Sequence, residues 1–505
     1  MTTRTTTMKG TPQTAATAQP WPIPAFPGRG FGIPLGPEVR TGKFLFLDQY
    51  GLRESNPAER KHPEVNGLIC ELDGIREAGK SAFMKSFGVR AYGMQAGLDE
   101  DGYPIEFRTR ISSQRQEAGS DEYDRTCKAM HGRKISPMEL GRINALDATL
   151  SDEVGMLNTA INLAETDLSR RLQGLEPLAH QVAMATMWHT YGESSDLPVY
   201  EQILRSQTID DARAYYTEHN RRLAAKMEEK LKDKPKLLEQ LQLRLERSVN
   251  IPQHEFERDS ATMAATMHRL LYGDYGNLLG DEVSMRDFLG DPFLVIDQTQ
   301  MTPRQRNIFN SLMGDWMVHA MDHNMPELVP HLSMGDESQD DRKSLMWLRN
   351  HDNFVRKARS YHTMDIRATQ YQTLLRSMGV PDSEERKLAE AINLGTSMRI
   401  VGKQPDDADV LDVLCKQGFS NFDAQLTTTF DTGRFALKLP KRKPIVFDYI
   451  LTPLELPIVA SNDATKKMLQ RTNVWEAMKI RDHVSKYGAE VIEPETAESK
   501  LVEAE

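Results

Sequence analysis

Gly74-Ile75-Arg76-Glu77-Ala78-Gly79-Lys80-Ser81 fits the pattern G-x-x-x-x-G-K-[ST], and its surroundings decide how the chain is read. Before it, Val65–Leu72 (VNGLICEL) reads as a buried strand ending in Asp73-Gly74. After it, the run from Ser81 (SAFMKSFGVRAYG) reads as a helix. Strand, glycine loop and helix in this order form a phosphate cradle. The glycines let backbone N–H groups turn inward, and the helix aims its positive end at the same point. Residues Gly74 to Ser81 are therefore expected to hold a nucleotide, ATP, with Lys80 on its β- and γ-phosphates and the Ser81 hydroxyl as a Mg²⁺ ligand. Arg76 and Glu77 occupy the tip of the loop, where small residues are commoner and where bulk and charge can lower nucleotide affinity.

Such a site also needs a carboxylate at the end of a neighbouring strand, to hold Mg²⁺ through water and to polarise the attacking water. Two places compete. Asp297 ends the apolar run Pro292–Asp297 (PFLVID) but is followed by Gln298, whereas Asp336-Glu337 ends the weaker strand HLSMG and supplies two adjacent acids. The second place is preferred, with Asp336 serving the metal through water and Glu337 serving as base. Asp297 then reads as a strand-end or turn acid. Gln370 follows Thr369 at the end of a further strand, where it could sense the γ-phosphate or be a plain loop residue. The helix after Asp340 carries Arg342, Lys343, Arg349, Arg356, Lys357 and Arg359. A solvated face is the plain account of such a run. The sharper one makes Arg356 or Arg359 a finger reaching a neighbouring subunit's nucleotide, with Arg399 as a third choice.

Composition narrows the frame without adding chemistry. The chain has 505 residues, 39% apolar and 27% charged, which suits a globular protein of several folding units. Lys and Arg number 63 against 73 Asp and Glu, a net charge of −10 that argues against a general nucleic-acid coat but leaves room for a local basic channel. Three cysteines, far apart, cannot build a disulfide framework or a Cys-rich zinc site, and Cys70 in its buried strand reads as inert packing. No stretch reaches the roughly 18 apolar residues of a membrane helix. A cytoplasmic setting is expected, with any membrane attachment made through a partner.

Along the chain, residues 1–41 read as a disordered, Pro-rich arm and 42–149 as the first part of an α/β core. Residues 150–290 keep helical spacing and read as an all-helical insertion, with many of the 25 methionines as pliable core filler. The α/β pattern resumes over 291–480, with strands expected at 292–297, 328–337, 362–369, 397–402, 434–439 and 445–451, and 481–505 reads as an acidic tail. His319 and His323 have H-x-x-x-H spacing on a helix, but Ala320 stands where a metalloprotease has Glu, so a surface or packing role is expected.

The order of these motifs resembles the traffic ATPases of type IV secretion and conjugative transfer, a HerA/FtsK-like branch of P-loop enzymes. Leu68–Ser81 is similar to that family's opening strand and loop. Asp121-Glu122-Tyr123 resembles its acidic-aromatic pair, and Ile143-Asn144-Ala145-Leu146-Asp147 its following string, with Ala145 in place of Pro. The resemblance continues through Gly335-Asp336-Glu337, the Arg/Lys helix at Val355–Arg359, the Thr369-Gln370 pair and the stretch from Leu394-Gly395 to Thr472-Asn473-Val474-Trp475. Two departures stand out: no Asp occurs at Ser112–Gln114, and the family's large N-terminal domain is missing.

The resemblance implies a RecA-like P-loop NTPase core with an inserted all-α subdomain, active as a hexameric ring. It implies ATP hydrolysis that powers transfer of DNA or protein, or assembly of a secretion-like machine, with channel proteins as partners at the inner face of a membrane. Two alternatives stay open. One is a DNA-translocating motor using basic loops at Lys226–Lys236 or Lys438–Lys443; the other is a non-catalytic, nucleotide-stabilised subunit.

Overall fold

The computed structural model describes residues 33–42, 44–47, 69–95, 107–114, 123–230, 236–237, 239–240, 251–336, 345–358, 361, 363–370, 383–439, 442–452 and 455–459. Glu337, Arg359, Arg342, Lys343, Asp121, Glu122 and the 472–475 stretch named above lie outside them.

The first elements are strands β1 (Ile33–Pro37), β2 (Phe44–Leu47) and β3 (Ile69–Asp73), then helix α1 (Lys80–Gln95), β4 (Thr109–Ser113), α2 (Asp124–Ala129) and β5 (Arg133–Ile135). Six helices follow: α3 (Glu153–Leu168), α4 (Glu176–Tyr191), α5 (Leu197–Ser206), α6 (Ile209–Lys230), α7 (Gln253–Tyr272) and α8 (Arg286–Leu289). Alternation then resumes with β6 (Phe293–Asp297), α9 (Pro303–Asp322), β7 (Leu332–Gly335), α10 (Leu345–Ala358), β8 (Met364–Thr369), α11 (Glu384–Gly395) and β9 (Met398–Val401). Helices α12 (Ala408–Lys416) and α13 (Asn421–Thr428), strands β10 (Arg434–Lys438) and β11 (Ile445–Asp448), and the short α14 (Leu456–Val459) complete the described chain.

All strands except β1 and β2 form one sheet in the order β11-β10-β9-β3-β8-β7-β4-β6-β5. From β9 to β5 every pairing is parallel, and β10 and β11 extend the sheet antiparallel. All five residues of β3 and of β6 are buried, as strands covered on both faces must be. Helices cover the two faces. One core gathers α1 with Leu72, Ile111, Met334 and Ile366, and the other joins Leu294, Ile296 and α9 to the helical block. Met156, Met184, Met187, Met263 and Met267 are buried in that block.

Ile33–Pro37 lies within the segment expected to be a loose arm and is instead a strand, with Ile33 and Leu35 fully buried. It pairs with Phe44–Leu47, and the two form a separate two-stranded ribbon outside the main sheet. Gly36 passes so close to the Asp448 carbonyl that a Cβ would not fit.

The Ile143–Asp147 string fastens the helical block. Ile143 bridges to Leu279 and Val283, Asn144 donates to the Ser195 carbonyl at 2.9 Å, and the Asp147 carboxylate accepts from Thr149 and from Ser284. At the return to the core, Thr302 and Gln305 close a capping box at the start of α9, with Pro303 in the first turn.

Candidate functional site

Parallel strands point their carboxyl ends to one edge of the sheet, and a ligand binds there where neighbouring connections diverge. Gly74 to Gly79 connects the end of β3 to α1 at that edge. Gly79 takes φ +92, and a Cβ on it would meet the Gly433 nitrogen at 3.2 Å. Glu77 also takes a left-handed φ, +66, which costs a non-glycine residue about 1 kcal/mol. Arg76 and Glu77 are exposed, whereas Ala78 and Lys80 are buried.

The loop is braced from two sides. The Ile75 N–H donates to the Lys403 carbonyl at 2.9 Å and the Gly402 N–H to the Asp73 carbonyl at 2.7 Å. Thr432 Oγ1 donates to the Glu77 carbonyl at 2.8 Å, and the Gly433 N–H to the Ala78 carbonyl at 3.2 Å. Lys80 Nζ donates to the carbonyls of Gly74 and Ile75, the latter at 3.0 Å, so the ammonium is held over the loop by the backbone it would share with a phosphate.

Asp336, at the end of β7, is 1% exposed. Ser81 Oγ donates to its Oδ2 at 3.3 Å, Tyr123 Oη donates to the same oxygen at 3.1 Å, and its own N–H donates to the Ser112 carbonyl at 3.0 Å. The hydroxyl of the loop's last residue and a buried carboxylate thus face each other, an all-oxygen pair suited to a hard cation such as Mg²⁺. Between them in the sheet runs β8, paired with β3 on one side and β7 on the other. It places Thr369 opposite Asp73, whose carboxylate accepts the Thr369 hydroxyl, and the buried Gln370 at the shared edge.

Asp297 is elsewhere. It ends β6, beyond β8, β7 and β4 from the loop strand, and its carboxylate is taken by Thr299 and by Lys134 at 3.2 Å. Arg399 is buried in β9 and ion-paired with Glu71 of β3, directly opposite in register, so it braces the sheet and is not a finger for a neighbour. Arg349 pairs with Glu165 and Glu384. Arg356 is exposed and pairs with Asp352 on its own helix at 2.9 Å. Lys438 turns back on the carbonyls of Leu439 and Arg442 and so serves its own loop. Burial pushes the Cys70 thiol well up, with Asp73 and Glu71 adding to the effect, which keeps it unreactive.

Sequence reasoning missed Tyr123 as a partner of Asp336, and Gly402, Lys403, Thr432 and Gly433 as the walls of the loop. Tyr123 stood in the acidic-aromatic string and could have been found there; the other four come from turns far along the chain and carried no local signal.

No protein-family model matches the sequence, and no curated protein is similar to it. Solved structures are. VirB4 of Thermoanaerobacter pseudethanolicus superposes with a TM-score of 0.56 at 15% identity, covering 85% of this chain and 98% of that one. The bacterial conjugative coupling protein TrwBdeltaN70, in its unbound monoclinic form, gives 0.48 at 11% identity over 84% of this chain and 90% of that one. The plasmid coupling protein TrwB in complex with ADP and Mg²⁺ gives 0.47 at 11% identity over 84% and 96%. The VirB4 match shows that this chain shares the α/β fold of that structure, with a helical block set into it.

Proposed function

We propose that the chain is a Mg-ATP-hydrolysing motor of the type IV secretion and conjugation class. The observation that carries the reading is the meeting of Ser81 and the buried Asp336 beneath a Gly74–Ser81 loop of left-handed turns. Bound Mg-ATP would supply a phosphoanhydride whose cleavage releases energy for movement. Residues Gly74 to Ser81 would cradle its phosphates, Lys80 leaving its carbonyl partners for the β/γ-oxygens. Ser81 would ligate the metal directly and Asp336 would orient a metal-bound water. Glu337 is the proposed base, and Gln370, on the strand between, the residue that reads the γ-phosphate.

The arginine that completes such a site comes from a neighbouring subunit in ring-shaped motors, and Arg356 and Arg359 are the proposed sources. A homo-hexameric ring is the proposed assembly. Among the described residues no helix is long and apolar enough to cross a membrane. Work in the cytoplasm, at the inner face of a membrane through a channel partner, is the proposed setting, and DNA or protein the proposed cargo.

ATP turnover by the wild-type chain against Lys80→Ala and Glu337→Gln tests this. Each substitution should lower turnover at least about 100-fold, with Glu337→Gln still binding ATP. Binding without turnover above the Glu337→Gln level in the wild type would leave a nucleotide-stabilised structural subunit and sink the motor reading.

A further inference from the structure

His319 and His323 stand one turn apart at the far end of α9, with ring centroids 3.9 Å apart. Their i, i+4 spacing lacked a third partner in the sequence. The fold supplies one from α3: Asp152, whose Oδ2 lies 3.3 Å from His323 Nε2 and whose Oδ1 lies 4.0 Å from His319 Nδ1. One ligand atom from each of the three lies within 4.8 Å of the other two. Tetrahedral ligands about 2.0–2.1 Å from a zinc ion sit about 3.3 Å apart, so small side-chain rotations would close the set.

We propose that Asp152, His319 and His323 bind a divalent transition-metal ion of the Zn²⁺ type. Two imidazoles with one carboxylate suit zinc or cobalt and not Mg²⁺, which prefers oxygen ligands and keeps its waters. The carboxylate is pre-oriented, because Asp152 caps α3 and its Oδ1 accepts the Gly155 N–H at 2.8 Å. Gly155 keeps the approach open. A Cβ there would press on the Ser151 hydroxyl and stand 3.4 Å from His319 Nδ1. A cavity of about 480 Å³, lined in part by Asn158, Asp322 and Lys357, opens onto the three groups and gives water room to complete the shell.

The site lies away from the nucleotide edge. The first residue of α9, Pro303, is on the side where β6 ends, and His319 is roughly 24 Å further along the helix at 1.5 Å per residue. An ion here would join the first helix of the helical block to a core helix, holding the insertion against the sheet. Its occupancy is independent of ATP hydrolysis.

The test uses the untagged, nucleotide-free full chain stripped with EDTA, titrated with Co²⁺ and with Zn²⁺, and with Mg²⁺ as control. One equivalent of Co²⁺ should bind and give the visible absorption of a low-coordinate site. One Zn²⁺ per chain should survive gel filtration and raise the melting temperature, and Mg²⁺ should do neither. His323→Ala removes a half-exposed ligand, and Asp152→Asn keeps the helix cap while weakening the ligand. Each should lower Co²⁺ affinity at least tenfold with far-UV circular dichroism unchanged. Absence of stoichiometric Co²⁺ or Zn²⁺ in the wild type overturns the proposal, as does wild-type affinity in both variants. If one variant fails to fold, the other decides.

Discussion

Ser81 and Asp336, 255 residues apart, meet through a 3.3 Å hydrogen bond at the end of the sheet. The carboxylate is held for that meeting by Tyr123, fully buried, whose hydroxyl donates to the same oxygen at 3.1 Å. Tyr123→Phe keeps the ring and its packing and deletes this donor. A hydrogen bond to a charged group contributes about 1.5–3 kcal/mol, and Asp336 without it should orient a metal-bound water less well. The Mg²⁺ concentration for half-maximal ATP turnover should rise by about tenfold to 150-fold by that energy, with ATP binding in EDTA unchanged. An unchanged Mg²⁺ dependence would show that Tyr123 only fills space.

Glu77 puts a negative charge and a left-handed backbone at the tip of a loop meant for an anion. At about 4 Å in water, two like charges repel by about 1 kcal/mol, enough for a severalfold loss of affinity. Glu77→Gln should tighten ATP binding about threefold to tenfold by removing that repulsion. Glu77→Gly should do the same and also relieve roughly 1 kcal/mol of backbone strain, visible as a higher melting temperature without nucleotide. Arg76→Ala should act in the opposite sense on affinity. Fluorescent-nucleotide titrations at low and high salt check all three, because the charge effect shrinks as salt rises.

What could be read in the sequence was what lies close together in it. The loop, its strand and its helix are contiguous, and each local choice agrees with the next. Asp336 could be nominated because a strand pattern ended in an acid, yet its meeting with Ser81 depends on β8 entering the sheet between β3 and β7. Arg399 shows the limit most clearly. It looked like a spare arginine, but Glu71 in β3 sits opposite it in register, and a charge inside each of two apolar strands was the available hint. The strand at Ile33–Pro37 escaped because prolines and glycine mask β-propensity, and only its pairing with Phe44–Leu47 makes it a strand.

Arg90 joins three distant segments. Its Nε and Nη2 donate to Glu455 at 2.6 and 2.8 Å, and its Nη1 donates to the Pro34 carbonyl at 2.6 Å. Burial alone would raise the Glu455 carboxyl, but the hydrogen bonds and charge of Arg90 override it and hold the group below its ordinary range. A carboxyl lowered in the folded state adds stability above its unfolded value and loses that stability as pH falls through the folded one. Glu455→Gln should therefore cost about 3–5 kcal/mol at pH 7, since it strands a buried guanidinium, and the loss should narrow below pH 4. Urea unfolding of both proteins from pH 7 to pH 3 measures the difference, and a constant gap across that range would contradict the assignment.

His180 offers a second titration, in the helical block and of opposite kind. It is fully buried in α4, its Nδ1 hydrogen-bonded with the Tyr200 hydroxyl at 2.5 Å and the two rings stacked. Burial pushes its value down to about 3, against a slight upward pull from Glu176, so the folded block holds a neutral imidazole. Between the ordinary value near 6.5 and this folded value the unfolded chain binds the extra proton, and stability falls as the solution is acidified. The slope is about 1.4 kcal/mol per pH unit for one such group. Urea melts followed by circular dichroism should show the helical block weakening from pH 6.5 downward in the wild type. His180→Leu should start less stable at pH 7, having lost the Tyr200 partner, and should lack that slope between pH 6.5 and pH 4. Equal slopes in the two proteins would place the acid sensitivity in another group.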